Sequence, residues 1–301
     1  MSSPAFNLGR EAGSTGRFER QESAFRDWHD ETSPGRHHLY VSHACPWAHR
    51  ALIVRRLRGL EDTVGVSVVH PYRDERGWAF PGGDHVDDLH GWSYLSEAYD
   101  ATDPSFEGRV SVPVLWDREA GRILNNESGD VARMLNAWGT VGDDLYPDDL
   151  RAEIDEVNDF VYEHVNNGVY RTGFATSQEA YEEGFTALFD ALEQLDERLG
   201  RQRYLAGDRI TLADWRLFTT LVRFDAVYHT HFRCNGKRVV DYPSLWPYAR
   251  ELYQVPGVAE TVRLDDIKQH YYTTHDMLNP KRIIPLGPLG VDWDEPHRRD
   301  A

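Results

Sequence analysis

Apolar residues recur three and four apart through much of the second half of the chain: Leu150, Ile154, Val157 and Val161; then Tyr181, Phe185, Leu188, Leu192, Leu195 and Leu199; then Trp215, Phe218 and Val222. That is the period of an α-helix with one buried face, and the succession predicts a helical domain. Ahead of the third run, Thr211-Leu212-Ala213-Asp214 has the spacing of a capping box, in which Thr211 and Asp214 satisfy each other's backbone donors; its role is structural. Between residues 36 and 138 the pattern alternates instead. Strand-like runs stand near 37–42, 64–70, 110–116 and 122–124. A helix is predicted over 46–58, where Ile53, Val54, Leu57 and Leu60 share the helical spacing, and another from Glu127.

The resulting β-α-β-β-β-α order is thioredoxin-like. The fold class expected is therefore α/β plus all-α, a thioredoxin-like domain over 36–140 followed by an all-helical domain over 148–282. Residues 1–35 are polar and rich in Gly and Ser, with Phe18, Phe25 and Trp28 as large apolar anchors, and read as an arm; 283–301 reads as a tail. The connection from 71 to 108 exceeds the roughly 12–15 residues beyond which a loop without secondary structure is usually functional or disordered. Its aromatic residues Trp78, Phe80, Trp92, Tyr94 and Tyr99 favour a functional loop folded onto a site.

Composition narrows the function. A chain of 301 residues with 40% hydrophobic residues can bury two cores. Its 33 basic against 50 acidic residues, a net charge of -17, argue against a nucleic-acid partner or an anionic membrane. No run of about 18 apolar residues and no signal-like leader is present, so the cytoplasm is the expected compartment. The two cysteines, Cys45 and Cys234, make no disulfide framework.

Cys45 is where chemistry is expected. It follows the first strand-like run and precedes Pro46, which suits a first helical turn because its missing N–H costs nothing there. The thiol then stands at or beside the helix N-cap, facing unpaired N–H groups that favour an anion. With no second cysteine within a turn, a disulfide formed by Cys45 needs an external thiol to resolve it, which implies a low-molecular-weight thiol cosubstrate. The alternative is a small apolar residue packed behind the helix. Val112-Pro113 lies in a strand-like run, where proline fits an edge strand or a cis peptide. Glu127 and Ser128 open a helix whose first-turn N–H groups suit a carboxylate such as that of a γ-glutamyl group, or else form an ordinary cap. Tyr170 and Tyr271 offer phenols to an aromatic electrophile, or are core residues. His43 and His49 flank Cys45, but their spacing matches no usual zinc pair and no metal is expected. Cys234 is read first as a packing residue, with a slow redox role as the alternative.

Cys45-Pro46-Trp47-Ala48, 112–117, Asn125-Asn126-Glu127-Ser128, 166–170, 207–218, 241–246 and 267–272 with Asn279-Pro280 occur in the order in which similar motifs occur in the glutathionyl-hydroquinone reductases, the Xi-class glutathione transferases. The chain closely resembles that family over nearly its whole length. The resemblance implies glutathione or another γ-glutamyl thiol as cosubstrate, a glutathionyl-hydroquinone as substrate, and a homodimer. It implies that Cys45 forms a mixed disulfide and that Tyr170 and Tyr271 contact the hydroquinone hydroxyl. It assigns the thiol's γ-glutamyl group to Glu127 and Ser128, its cysteinyl backbone to Val112, and its remaining contacts to Trp78 and Arg109. A general thiol transferase or dehydroascorbate reductase, and a non-catalytic binding protein of the same fold, are the alternatives.

Overall fold

The computed structural model describes residues 16–299; the first fifteen residues of the expected arm and the last two of the tail lie outside them. The chain divides into two units, one of Gln21–Asp143 with Asp265–Thr274, the other of Asp144–Leu264 with the flanking 16–20 and 275–299. Among the described residues no helix is long and apolar enough to cross a membrane.

The first unit is built on a four-stranded sheet. Its elements are β1 (His37–Val41), α1 (Pro46–Leu57), β2 (Gly65–Val68), α2 (Ser96–Thr102), β3 (Val114–Asp117), β4 (Arg122–Asn125) and α3 (Ser128–Trp138). The strands lie in the order β2-β1-β3-β4, with β1 parallel to β2 and antiparallel to β3, and β3 antiparallel to β4. All five residues of β1 are buried, as an inner strand with covered faces requires.

Two expectations change here. The connection over 71–108 is not free of secondary structure: Ser96–Thr102 forms α2, which packs against β4. Leu95, Ala98 and Tyr99 supply its buried side in one short stretch, too brief for a periodic signal. The run 110–116 is not one strand. The Val112–Pro113 peptide is cis and β3 begins only at Val114, because proline has no N–H to give a ladder. Since β3 is an inner strand, the edge-strand reading of Pro113 does not apply.

The second unit holds α4 (Arg151–Val161), α5 (Gly168–Gly173), α6 (Gln178–Leu199), α7 (Leu212–Arg223), α8 (His229–His231) and α9 (Leu245–Tyr253). Single π-helical turns, Tyr162–Asn166 and Phe224–Tyr228, lead from α4 toward α5 and from α7 into α8. The capping box forms as read from the sequence. Asp214, fully buried, accepts from Thr211 N at 2.8 Å, Leu205 N at 2.9 Å and the Tyr248 hydroxyl at 2.8 Å. One carboxylate thus fixes the start of α7, the preceding turn and α9. The tail lies along α9, where Gln254 donates to the carbonyls of Trp293 and Glu295, both at 2.8 Å.

The last helix, α10 (Leu264–Thr274), follows these in sequence, yet its residues Asp265–Thr274 group with the sheet. The physical reason is a set of specific bonds: His270 Nδ1 lies 2.6 Å from the Pro71 carbonyl, and Arg73 N donates to Thr274 Oγ1 at 3.2 Å. Sequence order had put this segment with the helical region.

Candidate active site

Cys45 is the N-cap of α1, in extended backbone conformation, with Pro46 at the first helical position. A turn closed by Cys45 N donating to Ser42 O at 3.1 Å carries the chain from β1 into the helix, and His49 N donates to Cys45 O at 3.0 Å as the helix begins. The side chain is half-buried and makes no cap bond of its own, so the thiol is left to other partners. Its Sγ lies 3.5 Å from the carbonyl of Val112, the residue before the cis-proline. Two residues 67 apart in sequence are thereby brought together at the helix end where backbone N–H groups stabilise anionic atoms.

At the start of α3, Glu127 is the N-cap and Ser128 the first helical residue. One oxygen of Glu127 accepts from Asp130 N at 2.8 Å, so the cap is real. The carboxylate nevertheless remains half-exposed, and an N-cap role occupies one oxygen only. Ser128 is buried, and its hydroxyl receives Arg50 Nη1 from α1 at 3.1 Å. Arg50 also lies over the Trp47 ring at 4.6 Å from its centroid. The guanidinium thus links the helix that bears Cys45 to the helix end that bears Ser128.

Trp78 is buried, with its indole stacked on the His270 ring at 5.0 Å and the Arg73 guanidinium 4.9 Å from its centroid. Tyr271, next to His270 on α10, belongs to this same unit and is 1% exposed. Arg109 is half-exposed, and its backbone N–H donates to Gln21 Oε1 at 3.2 Å. Tyr170 belongs to the helical unit. There it is buried on α5 in an aromatic cluster with Phe18 at 6.0 Å, Tyr228 at 6.1 Å and Phe232 at 5.4 Å, while the Arg20 guanidinium lies 4.9 Å from its ring. The widened turn over Phe224–Tyr228 ends on one of these rings.

Cys234 is wholly buried, and burial pushes its thiol pKa up, which suits packing and not nucleophilic chemistry. The three side chains among the described residues that come close enough to share a cation are His29, His37 and Asp117, not the histidines beside Cys45. His29 Nδ1 and His37 Nε2 are already 3.0 Å apart in a direct hydrogen bond, and Arg36 lies 3.4 Å from Asp117, where its charge opposes a cation.

Residues 44–138 match the family model described as glutathione S-transferase, N-terminal domain, and residues 178–251 match the one described as glutathione S-transferase, C-terminal domain. The glutathionyl-hydroquinone reductase PcpF of Sphingobium chlorophenolicum is 51% identical over 284 residues, covering 91% of this chain and 91% of that protein. The Xi-class glutathione transferase of Natrialba magadii superposes with a TM-score of 0.90 at 51% identity, over 94% of this chain and 90% of that one. This chain belongs to the glutathionyl-hydroquinone reductases, the Xi class of glutathione transferases. The glutathione-bound structure of YqjG from Escherichia coli K-12 is also similar, with a TM-score of 0.88 and 48% identity over 92% of this chain and 96% of that one.

In this glutathionyl-hydroquinone reductase, several side chains with little sequence signal of their own brace the candidate site. Tyr99, in sequence one aromatic among several between 71 and 108, stands on α2. Its hydroxyl donates to Ser111 O at 2.9 Å and accepts from Asn126 Nδ2 at 3.1 Å, and these residues immediately precede Val112 and Glu127. Arg50 could have been suspected, because its place on a predicted helix four positions after Pro46 makes a buried cation there conspicuous. His270 gave no signal beyond its place beside Tyr271.

Proposed function

We propose that the protein reduces glutathionyl-hydroquinones to free hydroquinones with glutathione as the second thiol, through a mixed disulfide on Cys45. The observation that carries this reading is the half-buried thiol at the N-cap of α1 with its sulfur against the Val112 carbonyl, in a chain whose other cysteine is sealed in the helical unit.

In the first half-reaction the Cys45 thiolate attacks the sulfur of the conjugate. The S–S bond to Cys45 forms as the bond from sulfur to the ring carbon breaks, and that carbon takes up a proton as hydroquinone departs. Tyr170 and Tyr271 stabilise the developing negative charge by hydrogen bonding or proton donation. In the second half-reaction a free glutathione thiolate attacks the glutathionyl sulfur, releasing glutathione disulfide and regenerating the Cys45 thiolate. One conjugate and one glutathione give one hydroquinone and one disulfide, with ping-pong kinetics.

Glutathione lies, in this reading, along the end of the sheet. Its ammonium meets the Glu127 oxygen that the cap leaves over, and its γ-glutamyl carboxylate meets Ser128 and the first-turn N–H groups of α3. Val112 pairs with its cysteinyl backbone, Arg109 with its other carboxylate, and Trp78 packs against it. The γ-glutamyl group is the part read by Glu127 and Ser128, so a different γ-glutamyl thiol would use the same anchor. A cytoplasmic homodimer completes the reading, and light scattering on the purified protein reads its mass.

Mass spectrometry of the protein mixed with a glutathionyl-hydroquinone tests the reaction. A glutathione adduct on Cys45 that appears together with free hydroquinone is the expected result. An adduct from simple mixed disulfides but none from the conjugate would replace this reading with a general thiol transferase.

A further inference from the structure

We infer that His270 is a positioning residue for the thiol cosubstrate, acting by holding Trp78 in place and not by touching the reacting sulfur. The inference rests on the glutathione reading of Trp78 given above. Its structural basis is three contacts between α10 and the segment that follows β2.

The segment 69–80 leaves the sheet after Val69 N donates to Val41 O at 2.9 Å, and its own backbone bonds run to its neighbours: His70 N to Ala79 O at 2.9 Å, Leu95 N to Trp78 O at 2.9 Å. Between these ends, residues 71–78 have no place in the strand ladder. α10 supplies what the ladder does not. His270 Nδ1 lies 2.6 Å from the carbonyl of Pro71, and a carbonyl only accepts, so Nδ1 carries the proton and the tautomer is fixed. Thr274, one turn further along, accepts from Arg73 N at 3.2 Å. The imidazole then lies against the indole of Trp78 with 23° between the ring planes.

These contacts act in series. The bond to Pro71 sets the ring plane of His270, and the ring plane sets where the indole can rest. Arg73, whose N–H is held by Thr274, brings its guanidinium to the same indole. A ring stacked at 5.0 Å that is also anchored through a charged or hydrogen-bonded neighbour loses little rotational freedom when a ligand arrives. Removing the anchor moves that ordering cost into the binding step. Affinity for the thiol falls while the attack at sulfur, made by Cys45, is untouched.

Three variants separate the two functions of the ring. His270→Asn keeps a donor for Pro71 and loses the stack; His270→Phe keeps a ring and loses the donor; His270→Ala loses both. Steady-state kinetics with glutathione varied, beside equilibrium binding of glutathione followed by calorimetry, give the readout. The expected result is a rise in KM and in the dissociation constant for glutathione of roughly tenfold in the alanine variant and less in the other two, with kcat within about twofold of wild type. Thr274→Val, which removes the acceptor for Arg73 N and the weaker 3.3 Å contact to His270 Nδ1 but leaves the bond from His270 to Pro71, shifts KM in the same direction by a smaller factor. Unchanged glutathione affinity in folded His270→Ala, or a fall in kcat with KM unchanged, overturns the inference. If the alanine variant does not fold, the asparagine and valine variants decide it by the same KM criterion. Wild-type protein that binds glutathione but does not reduce the conjugate would defeat the proposed reaction and leave the binding comparison intact; wild-type protein that does not bind glutathione overturns both.

Discussion

The hydroxyl of Tyr99 and the backbone of Ser111 bond in both directions: Tyr99 donates to Ser111 O at 2.9 Å and accepts from Ser111 N at 3.1 Å. With Asn126 Nδ2 as a further donor at 3.1 Å, one phenol on α2 braces the segment that presents Val112 and the segment that presents Glu127. The two are 15 positions apart in sequence and converge only because β3 and β4 turn back on each other.

Tyr99→Phe tests that brace. The ring contacts with Phe25 and Phe106 survive, but Ser111 and Asn126 lose their partner in a buried place. An unsatisfied buried group costs roughly 1–3 kcal/mol, so denaturant unfolding should show a loss of that order. If Val112 and Glu127 anchor glutathione as proposed, a higher KM for glutathione should accompany it, because both segments relax. Unaltered stability and unaltered KM would mean that Tyr99 only packs.

Cys45→Ser should leave the fold intact and remove the reaction. The side chain makes no cap bond and a serine hydroxyl fits the N-cap, whereas an alcohol is a far weaker nucleophile at neutral pH. Hydroquinone release should fall by roughly 10³-fold or more, about 4 kcal/mol of transition-state stabilisation. Chromatographic assay of free hydroquinone measures it, and retention of full activity would exclude the mixed-disulfide mechanism.

Tyr170→Phe and Tyr271→Phe should discriminate between electrophiles. If the phenols serve the departing ring, both variants lose activity with glutathionyl-hydroquinones, by roughly 10²-fold for a lost proton donor, and keep it with simple mixed disulfides. Equal loss with both substrate types would assign the tyrosines to folding or to thiol binding.

Stability should fall below neutral pH for a definable reason. Burial lowers the pKa of His37 and His38 from 6.5 to about 4, against the opposing pull of Asp117 and Asp87 respectively. Above pH 6.5 neither the folded nor the unfolded chain protonates these rings, and their contribution is complete. As pH falls from 6.5 toward 4 the unfolded chain takes up protons that the folded one refuses, so stability declines across that window. At about pH 5.5 the decline is on the order of 1 kcal/mol for each ring. Urea titrations at pH 7.5 and 5.5 on wild type and on His38→Gln should show a shallower decline in the variant, and an equal decline would remove His38 from the account.

The legible parts of this molecule are those in which chemistry and period coincide locally. Pro46 and the spacing of Ile53, Val54 and Leu57 disclosed α1 and placed Cys45 at its end, and Thr211 with Asp214 disclosed the start of α7. Nothing local joins Cys45 to Val112, 67 positions away, and Val112 stood out in the sequence only as the residue before Pro113 and through the family resemblance. α2 escaped notice because a seven-residue helix has too few turns to establish a period. The π-helical turns at Tyr162–Asn166 and Phe224–Tyr228 have no compositional marker at all. The packing partner of α10 was hidden for another reason: periodicity reports that a helix has a buried face, not which surface covers it.

Synthesis runs from one end of the chain to the other, and α10 gives that direction a consequence. The sheet, Cys45 and the Trp78 segment are all translated before residue 144, but the helix that grips Pro71 and Arg73 comes after 264. At roughly 5–20 residues per second, about ten seconds of translation separate them. A nascent chain therefore holds Cys45 and the Trp78 segment well before it holds the helix that grips Pro71 and Arg73. Truncated products that end ahead of α10 retain Cys45 and Trp78 without the helix that holds Pro71 and Arg73.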